Sequence, residues 1–225
     1  MADVLFSWPE TAAVGTRIPK ERFYAQGTVA AGTKEKFVSE VSRVVWSHKL
    51  AVDTVNIPAM DGISEIDVFR IDTKDGELSD SVLTAIDNAI PRPLIFEVTR
   101  PTAEVGSGNG VVRMVAAHKL LDGGATKLSG YYSTGWLSTE QERVTFPNAI
   151  NLQVLYTALL EPLTPVEIRT RETMSEVAER LEAVRKLDRE ISALERKLRT
   201  EKQLNRKVEI RRLLKTKQAL REQQR

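Results

Sequence analysis

The apolar residues in the first 165 positions recur at two periods, one typical of amphipathic helices and one typical of strands. Spacings of three and four predict helices over residues 33–50, 79–90 and 148–163. Runs of β-branched and aromatic residues predict strands over residues 51–59, 63–72, 93–100, 111–121 and 125–137. Because helices and strands do not alternate strictly, the pattern indicates an α+β fold with a mixed sheet of about five strands.

The pattern changes near residue 166, after which the chain contains no Pro or Gly and is rich in Glu, Arg, Lys, Leu and Gln. This composition is typical of a long helix or a coiled coil. We therefore expect two domains. An α+β body covers residues 1–165 and begins with an irregular arm over residues 1–33, and a basic, coiled-coil-like helical arm covers residues 166–225.

A seam of apolar residues with heptad spacing runs along the first part of this arm. It consists of Val177, Leu181, Val184, Leu187, Ile191, Leu194 and Leu198. The polar residues Glu201 and Asn205 occupy the next seam positions, and apolar spacing resumes at Leu204 on a rotated register. Either the chain turns near residues 200–203 or one helix continues and changes its binding face. The lack of Gly and Pro favours the continuous helix, and the hairpin remains the alternative.

The formal net charge of +2 conceals a division of charge along the chain. Residues 1–170 contain 16 Lys and Arg against 21 Asp and Glu, a net charge of −5. Residues 171–225 contain 17 against 10, a net charge of +7. An acidic body therefore carries a basic arm.

Other bulk properties limit the class of protein. The chain has no cysteine, which excludes disulfides and thiolate metal sites and fits a reducing cytoplasm. We see no signal peptide at the N-terminus and no apolar stretch near the ~18 residues that a membrane span needs. We expect a cytoplasmic protein without cofactors or a membrane partner.

The sharpest candidate for catalysis is a weak match to PD-(D/E)xK nucleases, formed by Asp61, Asp72 and Lys74. In such sites the acids bind Mg²⁺ and the lysine helps to activate water. If residues 63–72 form one strand, however, the two acids lie about 36 Å apart. Two strand-end acids and a solvated lysine are the simpler interpretation.

Three further features have ordinary structural explanations. The glycines at residues 106–110 precede a strand, whereas a phosphate-binding loop precedes a helix, so they indicate a flexible hairpin loop. Neither His48 nor His118 has a second ligand at metal spacing. Tyr131, Tyr132 and Trp136 could stack on bases, but aromatic residues at a strand end more often complete a core.

The arm allows two functional interpretations. In the first, its apolar seam binds a partner protein or a second copy of the chain. The residues for that contact are Leu187, Ile191, Leu194, Leu198, Leu204, Asn205, Val208 and Ile210. In the second, its cations bind the phosphates of DNA. The residues for that contact are Lys202, Arg206, Lys207, Arg211, Arg212 and Lys215.

Five separate segments, residues 6–24, 85–98, 131–137, 150–160 and 198–210, carry a resemblance to the bacterial domain-of-unknown-function family 4391. None of these segments is a motif of known chemistry, so the resemblance assigns no catalytic residue. Members of that family are commonly encoded beside DNA methyltransferases and Swi/Snf-type helicases in restriction-like or anti-phage clusters. The resemblance implies a non-enzymatic accessory subunit of such a system. We expect it to act by protein contact through the arm, with DNA binding as the first alternative and an unusual nuclease as the second.

Overall fold

The computed structural model describes residues 3–24, 29–60, 62–101, 110–122, 125–164, 169 and 172–224. The chain divides into two compact units, Met1–Pro165 and Val166–Arg225. The first unit has an α+β fold and the second is helical, so the predicted fold class is confirmed.

Within the described residues of the first unit, seven strands form one sheet. They are β1 (Ala13–Ile18), β2 (Val41–Ala51), β3 (Glu65–Thr73), β4 (Leu94–Arg100), β5 (Val111–Asp122), β6 (Ala125–Ser133) and β7 (Leu137–Ser138). Five α-helices in the same described part accompany the sheet. They are α1 (Glu21–Tyr24), α2 (Ala31–Glu40), α3 (Val52–Val55), α4 (Asp80–Ala89) and α5 (Leu152–Leu160).

The strands lie in sequence order from β1 to β6, and β7 pairs with the start of β5. All pairs are antiparallel except β3 and β4, which run parallel. A parallel pair needs a crossover connection, and α4 supplies it. The sheet is therefore mixed, with seven strands instead of the predicted five or so.

Both faces of the central strand β3 are buried. Phe69 and Ile71 point into a core cluster that includes Val82 and Ile86 of α4. On the alternate positions of the strand, Ile66 and Val68 are also fully buried. A strand covered on both faces usually has a nearly continuous apolar sequence, whereas charged residues such as the buried Asp67 interrupt this one.

The pairing of β5 is irregular at one point, and a side chain of α5 hydrogen-bonds to the strand backbone there. The pairing of β5 with β6 shifts between Ala117 and Lys119. The buried hydroxyl of Tyr156 donates to the carbonyl of Ala117 at 2.8 Å and accepts from the N–H of Lys119 at 3.1 Å. A bulge leaves such backbone groups without ladder partners, and Tyr156 supplies partners for both.

Three local predictions for the body were wrong. The predicted helix 33–50 is α2 followed by β2, because Val41, Val44 and Val45 also fit a strand once β1 and β3 lie on either side. The predicted strand 51–59 is the single turn α3, which ends at Asn56 in the left-handed region. The N-terminal arm contains β1 and is not irregular throughout.

The second unit contains two helices, α6 (Met174–Thr200) and α7 (Leu204–Gln224). They pack against each other. Lys217 pairs with Glu190 at 2.7 Å and Arg221 pairs with Asp188 at 3.3 Å, so later residues of α7 meet earlier residues of α6. The arm is an antiparallel hairpin, and the continuous helix that the sequence favoured is wrong.

Candidate functional site

The reversal between α6 and α7 is made by a carboxylate instead of a glycine. Glu201 leaves the helix with an extended backbone, and its Oε1 accepts from the N–H groups of Lys202 at 2.8 Å and Gln203 at 2.9 Å. These hydrogen bonds hold the pKa of Glu201 below its usual value. A carboxylate at a helix N-terminus is favoured by the free N–H groups and by the helix dipole. Glu201 thus holds the turn of residues 201–203 that precedes α7.

The open end of the hairpin is fixed by arginines. Arg180 pairs with Glu172 through two hydrogen bonds, at 2.6 and 2.7 Å, and donates a third to the carbonyl of Gln224 at 2.8 Å. Arg169 donates to the carbonyl of Gln223 at 2.7 Å. The last carbonyls of a helix have no partners within it, and cations there are favourable. The C-terminus of α7 is therefore tied to the start of α6.

The residues predicted to bind a partner fall into two groups. Ile191 and Ile210 are buried, and Leu187, Leu194 and Leu198 are half-buried. Because α6 packs on α7, much of the predicted seam is used within the hairpin. Leu204, Asn205 and Val208 are exposed, and Leu204 and Val208 have 72% and 57% of their surface accessible.

We define the outer surface of α7 as Leu204, Asn205, Val208, Arg211, Arg212 and Lys215. These residues follow one another at helical spacings of three and four, on the side away from the buried Ile210. All six are exposed. The surface thus combines apolar side chains at its start with three cations after them.

The cations predicted to bind phosphates, three of which lie on this outer surface, make no polar side-chain contacts with the described residues. Among the described residues, none of Lys202, Arg206, Lys207, Arg211, Arg212 and Lys215 forms an ion pair or a side-chain hydrogen bond. By contrast, Lys217 and Arg221 of the same helix pair with α6. The predicted phosphate-binding set is therefore available for an external partner.

Comparison with known proteins gives one result. The family model described as "Domain of unknown function (DUF4391)" matches residues 6–220. The chain belongs to this family. Searches of curated proteins and of solved structures found no significant match.

The structure describes two of the three nuclease residues predicted for this DUF4391 protein. Asp61 lies outside the described residues. Asp72 is near the end of β3, where it pairs with Arg43 and Arg70 and accepts from Thr99 at 2.6 Å. Lys74 is exposed just beyond the strand. Within the part of the chain that the structure describes, no group of three His, Cys, Asp or Glu residues could hold a metal ion.

The glycine-rich loop and the aromatic residues named in the sequence analysis either lie outside the described residues or pack within the body. Residues 102–109, which include most of the glycine-rich loop, are not described. The guanidinium groups of Arg100 and Arg113 lie over the ring of Trp136, at 4.4 and 4.6 Å from its centre, and the indole N–H donates to Glu77. These cation–π contacts within the body indicate a packing role for Trp136. None of the described helices is long and apolar enough to cross a membrane.

Sequence reasoning missed a buried ion pair in the body. Lys119 of β5 is fully buried, and its Nζ lies 2.9 Å from Oδ1 of Asp87. The same ammonium donates to the carbonyls of Asp87, Ile90 and Arg92 at 2.8–2.9 Å. Tyr131 donates to the other oxygen of Asp87 at 2.6 Å. Burial lowers the pKa of Lys119 and raises the pKa of Asp87, while their mutual attraction opposes both shifts.

A second polar cluster lies where β3 meets the start of β4. Asp67 is 1% exposed, and it accepts from the indole N–H of Trp46 at 2.9 Å and from Nε of Arg92 at 3.0 Å. Arg92 also lies 2.9 Å from Glu65. Burial and the nearby Asp67 raise the pKa of Glu65. In the sequence, one feature indicated this cluster: within the alternating segment 63–72, a charged residue stands at a position that faces the core.

Proposed function

We propose that this protein is a non-catalytic docking subunit that binds an acidic partner protein through the outer surface of α7. The observation that supports this most is the pairing of exposed Leu204 and Val208 with cations that have no partner among the described residues. Exposed apolar residues on a helix, rimmed by charge, are typical of a helix that fits into a groove of another protein. A groove with acidic edges complements this surface.

The resemblance noted above suggests the partner's class. Family members are commonly encoded beside DNA methyltransferases and Swi/Snf-type helicases, so we propose that the partner is a co-encoded subunit of such an anti-phage or restriction-modification system. In this proposal the body of residues 1–165 is a folded platform, and the hairpin is the contact element. The assembly works in the cytoplasm, where its DNA substrate lies.

Co-purification tests the proposed contact. We expect the tagged full chain, co-expressed with the neighbouring methyltransferase and helicase genes, to retain one of their products through size-exclusion chromatography. The double variant Leu204→Ser/Val208→Ser should lose that product, because interface residues of this kind cost on the order of 1–2 kcal/mol each when truncated. Ile150→Ser is the matched control, since Ile150 is an exposed apolar residue of the body at 80% accessibility.

Retention of the partner by the double variant would contradict the proposal. A homodimer that dissociates in the same variant would assign the surface to a second copy of the chain instead. Light scattering on the purified wild-type protein distinguishes these two outcomes.

DNA binding is a second candidate function, favoured by the unpaired cations of α7. If they contact phosphates, binding to a duplex should weaken steeply with salt, and Arg211→Ala/Arg212→Ala should reduce the slope of log K against log salt by about two. Arg196→Ala is the control, since Arg196 is an exposed residue of α6. Absence of duplex binding at about 50 mM salt would exclude this function.

A further inference from the structure

A cavity of about 540 Å³ opens on the body beside the end of α4. The apolar and aromatic part of its wall is formed by Ile18, Phe23, Trp46, Phe69 and Ile90, and Asp67 and Ala89 also line it. Small-molecule sites are concave, mostly apolar and roughly 300–1,000 Å³ in volume. The cavity thus has the size of a ligand site, and all of its lining residues belong to the body.

Two arginines also line this cavity, Arg22 and Arg92. Arg92 uses its Nε for Asp67 and Glu65, and its two Nη groups have no partner among the described residues. The guanidinium of the exposed Arg22 likewise has no ion pair or hydrogen bond within the described part of the chain. Two guanidinium forks beside an apolar cavity can bind a phosphate or a carboxylate.

The buried carboxylate of Asp67 holds two of these elements in place. One of its oxygens accepts from Trp46 and the other from Arg92. Asp67 lines the cavity but is almost fully buried, and its two oxygens position the indole and the guanidinium. A binding site with prearranged groups loses less entropy when a ligand binds.

A second cavity of about 650 Å³ adjoins the first and shares Arg22, Phe23 and Ala89 with it. Its wall includes the half-buried Thr33 and the exposed Asn88, whose side chains have no hydrogen bond among the described residues. A hydroxyl and an amide of this kind can bind sugar hydroxyls. Together the two cavities therefore offer aromatic side chains, cations and neutral polar groups.

We propose that these cavities bind a nucleoside monophosphate group, with the base against Trp46 and Phe23 and the phosphate at Arg22 and Arg92. The ring explains the aromatic wall, the anion explains the unpaired Arg22 and the free Nη groups of Arg92, and the sugar explains Thr33 and Asn88. The same chemistry is present in a free nucleotide and at a phosphorylated end of a nucleic acid.

Calorimetric titration of the full chain tests this site with AMP, GMP, CMP and UMP, each against adenosine and inorganic phosphate. We expect at least one mononucleotide to bind, and to bind about tenfold or more tightly than adenosine or phosphate alone, because either probe lacks half of the contacts. Absence of binding of all four mononucleotides at millimolar concentration by folded protein would overturn the proposal.

Variants locate the binding. Arg92→Leu and Arg22→Ala should each weaken the nucleotide by about tenfold, the loss of one charge-assisted contact. Because Arg92 also compensates buried Asp67, Arg22→Ala is the safer variant for folding. Arg17→Ala, a change of another exposed arginine in β1, should leave the affinity within about twofold. Equal affinity in wild type and Arg22→Ala would place the binding elsewhere and refute the site.

A second comparison decides whether the bound nucleoside monophosphate group belongs to a free nucleotide or to the end of a nucleic acid. A 5′-phosphorylated single-stranded oligonucleotide that binds more tightly than its unphosphorylated form, and loses this difference in Arg22→Ala, assigns the site to nucleic-acid ends. Equal binding of the two oligonucleotides, with the mononucleotide still bound, assigns it to a free nucleotide. This result is independent of the α7 surface, since Leu204→Ser/Val208→Ser should not change it.

Discussion

Replacement of Lys119 by Met is expected to destabilise the body by about 3–5 kcal/mol. The ammonium is fully buried and contacts Asp87 together with the carbonyls of Asp87, Ile90 and Arg92. Methionine has a similar volume but no donor, so a buried carboxylate and three carbonyls lose a partner. The carbonyls belong to the end of α4 and the turn after it, where a helix has acceptors without internal donors.

Urea unfolding followed by tryptophan fluorescence measures this effect in the body alone, since Trp8, Trp46 and Trp136 all lie within residues 1–165. Lys49→Met is the matched control, because Lys49 forms a solvent-exposed pair with Asp53 and its loss should shift the midpoint little. A Lys119→Met midpoint close to that of Lys49→Met would contradict a structural role for the buried pair.

The second large effect is a loss of stability at acid pH that depends on His118. Its side chain is buried in β5 beside the ring of Tyr156, 5.9 Å away, and Nδ1 has no hydrogen-bond partner among the described residues. Burial lowers the pKa of His118 to about 4. The folded protein therefore keeps this imidazole neutral at a pH where the unfolded chain, with an ordinary pKa of about 6.5, binds a proton.

The sign follows from this difference in proton binding. Between pH 6.5 and 4 the unfolded state binds more protons, so the free energy of unfolding falls as the pH falls through that range. His118 alone accounts for about 2–3 kcal/mol between pH 7.5 and 4.5. His118→Phe removes the titration. We therefore expect the stability difference between wild type and variant to change by about that amount over the range. A constant difference at both pH values would contradict this.

The sequence predicted the elements whose signals are local. Helix α4 was found because Val82, Leu83 and Ile86 repeat at helical spacing before Pro91. Strand β2 was missed because its valines satisfy both helical and strand spacing, and the pairing with β1 and β3 decides between them. The burial of both faces of β3 likewise depends on residues that are far away in the sequence, so the local pattern does not reveal it.

The candidate sites depend still more on distant residues. Lys119 and Asp87 are separated by 32 positions, and neither stands in a motif, so only the folded chain places them together. The turn near residues 200–203 was only the alternative prediction because Gly or Pro was expected there, whereas Glu201 makes it with its carboxylate. The exposed residues Leu204, Asn205 and Val208 were among those predicted for a partner, but only the hairpin separates them from the seam residues used internally.

The central claim, that the outer surface of α7 binds a partner protein, is tested most directly by hydrogen exchange. Amide exchange of the full chain would be compared with and without the purified co-encoded subunit that co-purifies with it. Protection should be greatest in residues 204–215, where Leu204, Val208, Arg211, Arg212 and Lys215 lie, and it should disappear in Leu204→Ser/Val208→Ser. Protection confined to residues 1–165, with unchanged exchange in α7, would contradict the proposed docking surface.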